Sequence, residues 1–457
     1  MHQKSAAAAL PSAKPREQVK ALALASLGST LEYFEFIIYV FLAPQISHHF
    51  SSPDMPQWLA LLQTFGIFAA GYLIRPVGGI LMAQVGDRAG RKRVFTLTLA
   101  LMAGPTLAIG LLPGYAAIGI WAPILLLLCR LLQGVSLGGE LPGAISFVSE
   151  QVSGRKVAFA LGIMAAATSC GTVLGSAVVS GLTRTLGADA MMEYGWRIPF
   201  LMGGVFGALS VYLRRFTHET PVFEAMRARL MLAERPPFTE LVSKHRTNLI
   251  CAMFLAACTT VVAGATQQFP ITYFVTLKKM PMADVSTALT LLIAFTPVGN
   301  VIGGAAVSWR LISLRNGYIV ALLLTAACMG WMYSQNSAEN LWRPAVFLGL
   351  SCGAAMALSL ALLARAFPAQ VRYTGLATCY NIPIAIFGGT VLIVMTFIAR
   401  YSLDYPAFYP ALFVLFAITA AFILWPRRNA ISPFDRDDPD ANPAAPSNAL
   451  QSPAFDI

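Results

Sequence analysis

Charged side chains are scarce in this sequence. Aspartate, glutamate, lysine and arginine make up only 12% of its 457 residues, whereas hydrophobic residues make up 57%. Typical soluble proteins devote about a quarter of their residues to charged types. The deficit argues against an ordinary soluble enzyme and gives weight to each place where charges do occur.

Motifs for several common chemistries are also missing. None of the seven cysteines is spaced as Cys-x-x-Cys, and the five histidines show no metal-ligand spacing. We therefore expect no disulfide framework, no metal site and no cofactor. The absence of Gly-x-x-x-x-Gly-Lys-Ser/Thr argues against a transport ATPase. The sequence has no nucleophile–base pair of the kind that an enzyme would need. It also has no repeated filter-like loop of the kind that a channel would need.

Long apolar runs dominate instead. A helix of about 20 apolar residues crosses the ~30 Å hydrocarbon core of a bilayer, and in lipid a helix satisfies its own backbone hydrogen bonds. The first run contains Glu32 and Glu35, which a cleavable signal peptide would avoid. The fold class predicted is all-α integral membrane with twelve transmembrane helices, at 22–46, 58–83, 94–113, 117–148, 157–183, 197–213, 249–275, 285–307, 317–334, 343–366, 374–399 and 407–425.

The net charge of +11 is explained by where the cations lie. With the amino terminus inside, 24 of the 32 lysines and arginines fall in inner segments and six in outer ones, leaving Arg75 and Arg130 within spans. By the positive-inside rule, both termini are predicted to be cytoplasmic. This distribution favours the lipid bilayer over nucleic acid as the partner of the basic segments.

Composition divides the chain into five parts. Residues 1–20 and 426–457 are predicted to be disordered cytoplasmic termini. Residues 21–213 and 249–425 form two six-helix bundles, and the cytoplasmic linker at 214–248 contains a short helix. Pro76-Val77-Gly78 in the first half recurs in the second as Pro297-Val298-Gly299, which indicates pseudo-symmetric halves. In this alignment Asp87 corresponds to Ser308, so the second copy lacks the acid.

The stretch "VGDRAGRKR" at 85–93 concentrates five charges between two apolar runs. Its basic residues alone would fit an inner loop, but the order G-D-R-x-G-R-K resembles the signature loop of the major facilitator superfamily. The segments "GIFAAGYLIRPVGG", "IGIWAPILLLLCRLLQGVSLGGE", "YGWRIPFLMGG", "YLRRFTHETPVFE" and "VRYTGLATCYNIPIAIFGGT" look like its metabolite:proton symporter branch. That branch includes bacterial carriers of α-ketoglutarate, proline/betaine, citrate and shikimate.

The resemblance implies two bundles that rock around a midplane site in the bacterial inner membrane. It also implies a cytoplasmic latch that is closed when the cavity faces outward. We expect partly exposed ion pairs in it, each worth ~0–1 kcal/mol. Gly86 and Gly90 would permit tight packing there. The charged latch residues expected are Asp87, Arg88, Arg91, Glu150 and Arg155.

Ionisable residues within the spans mark a pathway by default, because burying them in lipid is costly. Glu32 and Glu35 share a helical stripe with Tyr39. Two nearby carboxylates in a low dielectric cannot both stay charged, so Glu32, Glu35 and Glu140 are candidates for proton coupling. The arginines favour an anionic substrate, since guanidinium binds carboxylate bidentately. The candidate substrate-binding residues are Arg75, Arg130, Arg197, Tyr39, Gln133 and Gln267.

The predicted function is proton-coupled uptake of a small organic anion, such as a di- or tricarboxylate, by a monomer. A zwitterionic osmolyte such as betaine or proline is the alternative, as is a larger carboxylate such as a siderophore. The short, Pro-rich tail lacks the heptads of a coiled coil, which weighs against an osmosensing subtype.

Overall fold

Twelve long helices make up most of the structure, which is a computed structural model. It describes residues 15–152, 154, 156–214, 219–228, 237–401 and 406–424. The long helices are α1 Pro15–Phe41, α2 Gln57–Ala89, α3 Arg91–Leu111, α4 Trp121–Gln151, α5 Lys156–Leu186, α6 Arg197–Arg214, α7 Arg246–Ala263, α8 Met282–Ser308, α9 Leu314–Tyr333, α10 Trp342–Arg365, α11 Arg372–Tyr401 and α12 Phe408–Leu424.

Short helices fill the connections. Ala43–Phe50 follows α1, and Tyr115–Ile118 precedes α4. The chain enters α6 through Ala188–Ala190 and a π-helical turn at Met191–Gly195. Two further π-helical turns, Gly264–Gln268 and Ile271–Leu277, prolong α7, and a 3₁₀ turn at Ala338–Asn340 precedes α10.

The lengths of these helices match the thickness of a membrane. Within the described residues, nine helices are long and apolar enough to cross a bilayer, and eleven are if two bent pairs each count as one span. The bends are 50° where Ala188–Gly195 meets α6 and 42° near Gly388 within α11. The remaining apolar helix, α12, has 17 residues. The predicted all-α membrane fold with twelve helices is confirmed.

Glycine packing shows that the two halves are repeats. A Cβ added to Gly138 of α4 would lie 2.3 Å from the carbonyl oxygen of Arg75 in α2, so the two backbones touch. In the second half, a Cβ on Gly353 of α10 would lie 2.1 Å from the carbonyl oxygen of Thr296 in α8. Arg75 and Thr296 each stand directly before the repeated Pro-Val-Gly, so the two contacts are equivalent. Small residues thus bring equivalent helix pairs into close contact in both halves.

The most extensive contacts between the halves are made by two helix pairs. One seam is formed by α2 and α11, and the other by α5 and α8. On the second seam a Cβ on Gly162 would lie 2.6 Å from the carbonyl oxygen of Asn300, and one on Gly304 would lie 2.5 Å from that of Ala158. The halves therefore meet along lines of small residues, where their surfaces approach closely.

Several boundaries differ from the expected ones. Helix α1 begins at Pro15, whereas residues 1–14 lie outside the described part. The linker contains two short helices, Pro221–Ala228 and Pro237–Lys244, rather than one. The tail at 426–457 lies outside the described residues. Helix α2 continues to Ala89, so the expected turn at 85–93 shrinks to Gly90, and Asp87 lies in the last turn of a helix.

Candidate functional site

A chain of hydrogen bonds crosses the interior of the first bundle. Arg130 Nη1 of α4 donates to Gln133 Oε1 at 2.7 Å, and Gln133 Nε2 donates to Thr106 Oγ1 of α3 at 2.7 Å. The Thr106 hydroxyl lies 2.5 Å from Glu35 Oε2 of α1. All four residues are buried. The spacing of Arg130 and Gln133, three residues apart on one helix face, makes this chain possible.

The Arg130 guanidinium is surrounded by aromatic rings. Its Cζ lies 4.3 Å from the ring centroid of Tyr39 and 5.0 Å from that of Phe68. Tyr39 is anchored by its hydroxyl, which donates to the Thr64 carbonyl at 3.1 Å. Cation–π attraction of this kind stabilises a desolvated cation without neutralising it.

Thr106 can serve either protonation state of Glu35. Its hydroxyl has one hydrogen but lies within bonding distance of two oxygens, Glu35 Oε2 and the Met102 carbonyl at 2.8 Å. If Glu35 is ionised, Thr106 donates to it. If Glu35 is protonated, Glu35 donates to Thr106, which then donates to Met102, so both contacts are hydrogen bonds. Glu35 Oε1 is buried without a hydrogen-bond partner among the described residues, which disfavours the charged form.

Glu140 of α4 also contacts a threonine of α3, further along that helix. The Thr98 hydroxyl of α3 lies 2.5 Å from Glu140 Oε2 and 3.1 Å from the Phe95 carbonyl. Thr98 and Thr106 are eight residues apart on α3, or about 12 Å along its axis. One helix thus presents two threonines to two buried carboxyl groups from different helices.

A second cluster lies at the seam between the halves. Arg75 Nε of α2 donates to Asn381 Oδ1 of α11 at 3.3 Å, and Asn381 Nδ2 donates to the carbonyl oxygen of Gly138 at 2.7 Å. Beside them, the hydroxyls of Tyr33 and Tyr380 hydrogen-bond to each other across the seam. Polar side chains from both halves of the protein therefore meet at Arg75.

Acidic and aromatic groups complete this seam cluster. Glu32 and Arg75 both act electrostatically on Tyr33 and Tyr380. Tyr72 lies under Arg75, with 5.5 Å from its ring centroid to Cζ, and is also within electrostatic reach of Arg130. Tyr72 also packs edge-on against Phe68, with 5.4 Å between ring centroids, and Phe68 in turn lies against Arg130.

Neither of these two arginines has an ion-pair partner in the described part of the protein. Arg75 and Arg130 are 5% and 2% exposed, and neither forms an ion pair with a described residue. The Nε of Arg130 also lacks a hydrogen-bond partner there. Buried guanidinium groups are normally paired, because desolvating an unpaired charge is expensive. Each of them therefore offers a buried guanidinium that an anion could pair with.

Two other predicted site residues lie elsewhere. Arg197 is half-buried at the end of α3, where its Nη1 donates to the carbonyl oxygens of Gly110 and Leu112 at 2.9 and 2.8 Å. Its guanidinium also stacks on Trp196, 4.5 Å from the ring centroid. These contacts fasten two helix ends. Gln267 lies half-buried in the π-helical turn Gly264–Gln268.

The latch residues form a buried network between the halves. Asp87 Oδ2 accepts hydrogen bonds from the N–H and hydroxyl of Thr374, at 2.9 and 2.7 Å, and Asp87 Oδ1 pairs with Arg91 at 3.0 Å. Arg91 also pairs with Glu150 at 3.3 Å and donates to the Ala369 carbonyl at 2.6 Å. Thr374 and Ala369 belong to the second half, so these contacts clamp the halves at this end.

The expected composition of the latch is corrected at Arg88, whereas the expected role of Arg155 stays a prediction. Arg88 is exposed on the outer side of α2, and Arg155 lies outside the described residues. A cation that was not expected, Arg372 of α11, joins Arg91 on Glu150 at 3.5 Å.

The expectation of partly exposed ion pairs is wrong. Asp87 and Arg91 are each 1% exposed, because the linker and α11 cover them. Breaking a buried pair costs far more than breaking a surface one.

The linker after α6 seals the latch. Glu219 Oε1 accepts from the backbone N–H groups of Arg91 and Lys92 at 3.1 and 3.2 Å, and so caps the start of α3. The hydroxyl of Thr220 donates to Glu150 at 2.7 Å, and the Phe223 ring lies 5.1 Å from the Arg91 guanidinium carbon.

Both latch glycines have a steric role. Gly90 has φ +111°, and a Cβ there would lie 2.3 Å from Glu219 Oε2. A Cβ on Gly86 would lie 2.4 Å from the ring of Tyr373, whose hydroxyl donates to the Gly139 carbonyl at 2.8 Å. Both positions therefore require glycine.

Comparison with known proteins identifies the family. Residues 25–388 match the model of the Major Facilitator Superfamily. The chain belongs to the major facilitator superfamily. This transporter is 31% identical over 419 residues to the proline/betaine transporter of Salmonella typhimurium, covering 85% of this chain and 80% of that one. It is 31% identical over 424 residues to the citrate-proton symporter of Klebsiella pneumoniae, covering 91% and 93%.

Solved structures share the fold of this superfamily member. A proton:xylose symporter superposes with a TM-score of 0.69 at 13% identity, covering 90% of this chain and 96% of that one. The human organic anion transporter MFSD10 gives 0.67 at 14% identity, covering 90% and 100%. The expected family and fold are confirmed, and the protein is a multi-span membrane transporter of small molecules rather than an enzyme.

Proposed function

We propose that this transporter takes up a small organic anion, of the di- or tricarboxylate kind, together with protons across the bacterial inner membrane. The latch end and both termini face the cytoplasm, and access to the site alternates between the two sides. The observation that carries the proposal is the pair of buried arginines, Arg75 and Arg130, which lack ion pairs within the described part of the chain.

An anion would supply the missing counter-charges. A substrate carboxylate can accept from Arg130 Nε, which has no acceptor among the described residues. A second carboxylate would pair with Arg75, which also has no ion pair within the described residues. Asn381 and Tyr380, which belong to the second half, then connect substrate binding to the seam.

The hydrogen bonds that connect Arg130 to Glu35 offer a mechanism for proton coupling. In the empty site, an ionised Glu35 partly offsets Arg130 through Gln133 and Thr106. Protonation removes that negative charge, so Arg130 attracts a substrate anion more strongly. Bound substrate and bound proton thus favour each other, as symport requires. Glu140, on Thr98, is a further carboxyl that can take part.

The charge distribution supports the proposed orientation, and a relative supports the proposed activity. The latch end carries most of the lysines and arginines, as the positive-inside rule requires of a cytoplasmic face. The Klebsiella pneumoniae relative is named a citrate-proton symporter, which is the activity proposed here. Transport would need no ATP, since the membrane potential supplies ~2.3 kcal/mol per charge per 100 mV.

The test uses purified protein in proteoliposomes with an imposed pH gradient. We expect labelled citrate or another di- or tricarboxylate to accumulate, and Glu35→Gln to abolish accumulation while exchange persists. Glu35→Asp, which keeps the acid, is the control and should retain part of the accumulation. Accumulation by Glu35→Gln with the pH dependence of the parent would reject coupling at this residue.

One observation favours a second candidate, symport of a zwitterionic osmolyte. Glu32 acts on the same two tyrosines as Arg75, so opposite charges face one aromatic cluster. A betaine could place its carboxylate at Arg75 and its ammonium among the rings of Tyr33, Tyr72 and Tyr380. Uptake of labelled betaine that is lost in Glu32→Gln, with no uptake of carboxylates, would decide for this function.

A further inference from the structure

An apolar crevice opens on the outer surface of the second bundle, away from the candidate site. It lies between α7 and α12 and encloses about 300 Å³. Ile250 and Phe254 line it from α7, and Phe416 and Ile423 line it from α12; all four are at least 40% exposed. These helices belong to the membrane-spanning part of the fold, so the crevice faces acyl chains.

The crevice is a groove with distinct ends. Arg246, Ile250 and Phe254 follow one another at intervals of four residues and so lie along one face of α7. From Arg246 to Phe254 the groove runs about 12 Å. Its far end is closed by the rings of Phe254 and Phe416, whose centroids are 5.4 Å apart. Its open end lies at Arg246, the first residue of α7.

Positive charge gathers at the open end. Arg246 is exposed, and its guanidinium has no hydrogen bond or ion pair within the described part of the chain. Arg315 lies at the same end, over the Phe422 ring of α12 at 5.2 Å. The nearby acid, Glu240, is already paired with Lys244 at 3.0 Å.

We propose that this crevice binds an anionic phospholipid, with its phosphate at Arg246 and one acyl chain along the groove. The open end is the latch end of the protein, since Asn248 of α7 donates to the Ala366 carbonyl, close to the latch contact of Ala369, at 2.8 Å. An apolar groove that has a basic residue at its cytoplasmic end matches the two parts of such a lipid. A zwitterionic lipid fits less well, because its own cation would face Arg246.

Native mass spectrometry of the full-length protein tests this proposal. The detergent-solubilised protein is incubated with phosphatidylglycerol or phosphatidylcholine. We expect one phosphatidylglycerol to be retained by the parent, and Arg246→Gln to weaken its binding about fivefold, as loss of one surface cation predicts. The matched control is Arg343→Gln, an exposed arginine at the start of α10 at the other end of the bundle, and it should bind like the parent.

A second variant tests the groove itself. Thr419 lines the crevice and is exposed, so Thr419→Phe fills the space without disturbing the core. It should reduce retention of phosphatidylglycerol, while glycerol phosphate should neither bind nor compete. Equal binding of the two lipids by the parent, or equal loss in Arg246→Gln and Arg343→Gln, would overturn the proposal. The proposal would also be overturned if the parent formed a dimer without retaining any lipid and Thr419→Phe dissociated that dimer, because the crevice would then bind a second copy of the protein.

Discussion

Ser308 Oγ, at the end of α8, accepts a hydrogen bond from the backbone N–H of Phe159 in the first turn of α5, at 3.1 Å. The repeat contains the same contact in the first half, where Asp87 accepts from the N–H of Thr374 in the first turn of α11. Asp87 and Ser308 occupy the same position relative to the repeated Pro-Val-Gly, and α5 and α11 are each the fifth long helix of their half. The two seams therefore close by equivalent contacts, but only one of them uses a charged acceptor.

Restoring the acid should strengthen the weaker seam. An aspartate at position 308 would place a negative charge at the start of α5, where the helix dipole is positive. In Ser308→Asp we expect the population closed at the latch end to rise about two- to fivefold, and transport to slow if opening limits it. Spin labels at the exposed positions Arg88 and Leu311, in opposite halves, would report that population as a shorter distance.

Ser308→Asn is the matched control for that experiment, since it keeps an oxygen acceptor without a charge. It should leave the distance distribution close to that of the parent. If aspartate and asparagine give the same distribution, charge at this seam has no influence on closure.

Gly86 should be intolerant of any side chain. A methyl group there would overlap the ring of Tyr373, which is fully buried between the halves. Overpacking of this kind costs about 1–3 kcal/mol, so Gly86→Ala should reduce the ratio of closed to open protein by a factor of about 5 to 150. The same pair of spin labels measures it. Tyr373→Leu, combined with Gly86→Ala, makes room for the methyl group and should recover part of the closure; failure to do so would place the effect elsewhere.

The family signature, the helix count and the latch acid could be predicted from sequence, because each depends on local pattern. Hydrophobic length predicts a span, and G-D-R-x-G-R-K predicts the loop. The partners of these residues could not be predicted in the same way. Thr374 and Arg372 lie in the other half of the chain from Asp87, and their neighbours in the sequence give no sign that they face an acid.

The threonines at the carboxyl groups were missed for a different reason. Thr98 and Thr106 are neutral residues in an apolar helix, where most threonines only bond to their own backbone, as Thr96 does to the Lys92 carbonyl at 2.9 Å. Only the packing of α3 against α1 and α4 distinguishes them. Arg197 shows the opposite error, because an arginine at a span boundary has the same pattern whether it binds substrate or fastens helix ends.

Thr106 should be required for coupling rather than for folding. Thr106→Val keeps the shape but removes the hydroxyl that connects Glu35 to Gln133. Downhill exchange should persist, whereas accumulation driven by a pH gradient should fall about tenfold, the effect of roughly 1.4 kcal/mol of lost coupling. Counterflow and accumulation in the same proteoliposomes measure the two activities. Thr96→Val, on the same helix but away from any carboxyl group, should be normal in both; an equal loss in both variants would indicate damage to α3.

Docking of the linker should depend on pH through Glu219. Burial raises the pKa of this carboxyl above its usual range, and Glu150 adds to the effect, whereas the N–H groups of Thr220 and Lys92 and the charge of Arg91 oppose it. A raised pKa in the docked state means that docking binds protons. Acidification should therefore strengthen docking, and docking should weaken as the pH rises from the ordinary carboxyl pKa through the raised one. Hydrogen exchange in the segment 219–228, corrected for intrinsic rates, should show protection that declines over this range. Glu219→Gln cannot titrate, so its corrected protection should be constant with pH; a parent-like pH profile in that variant would assign the titration to another group.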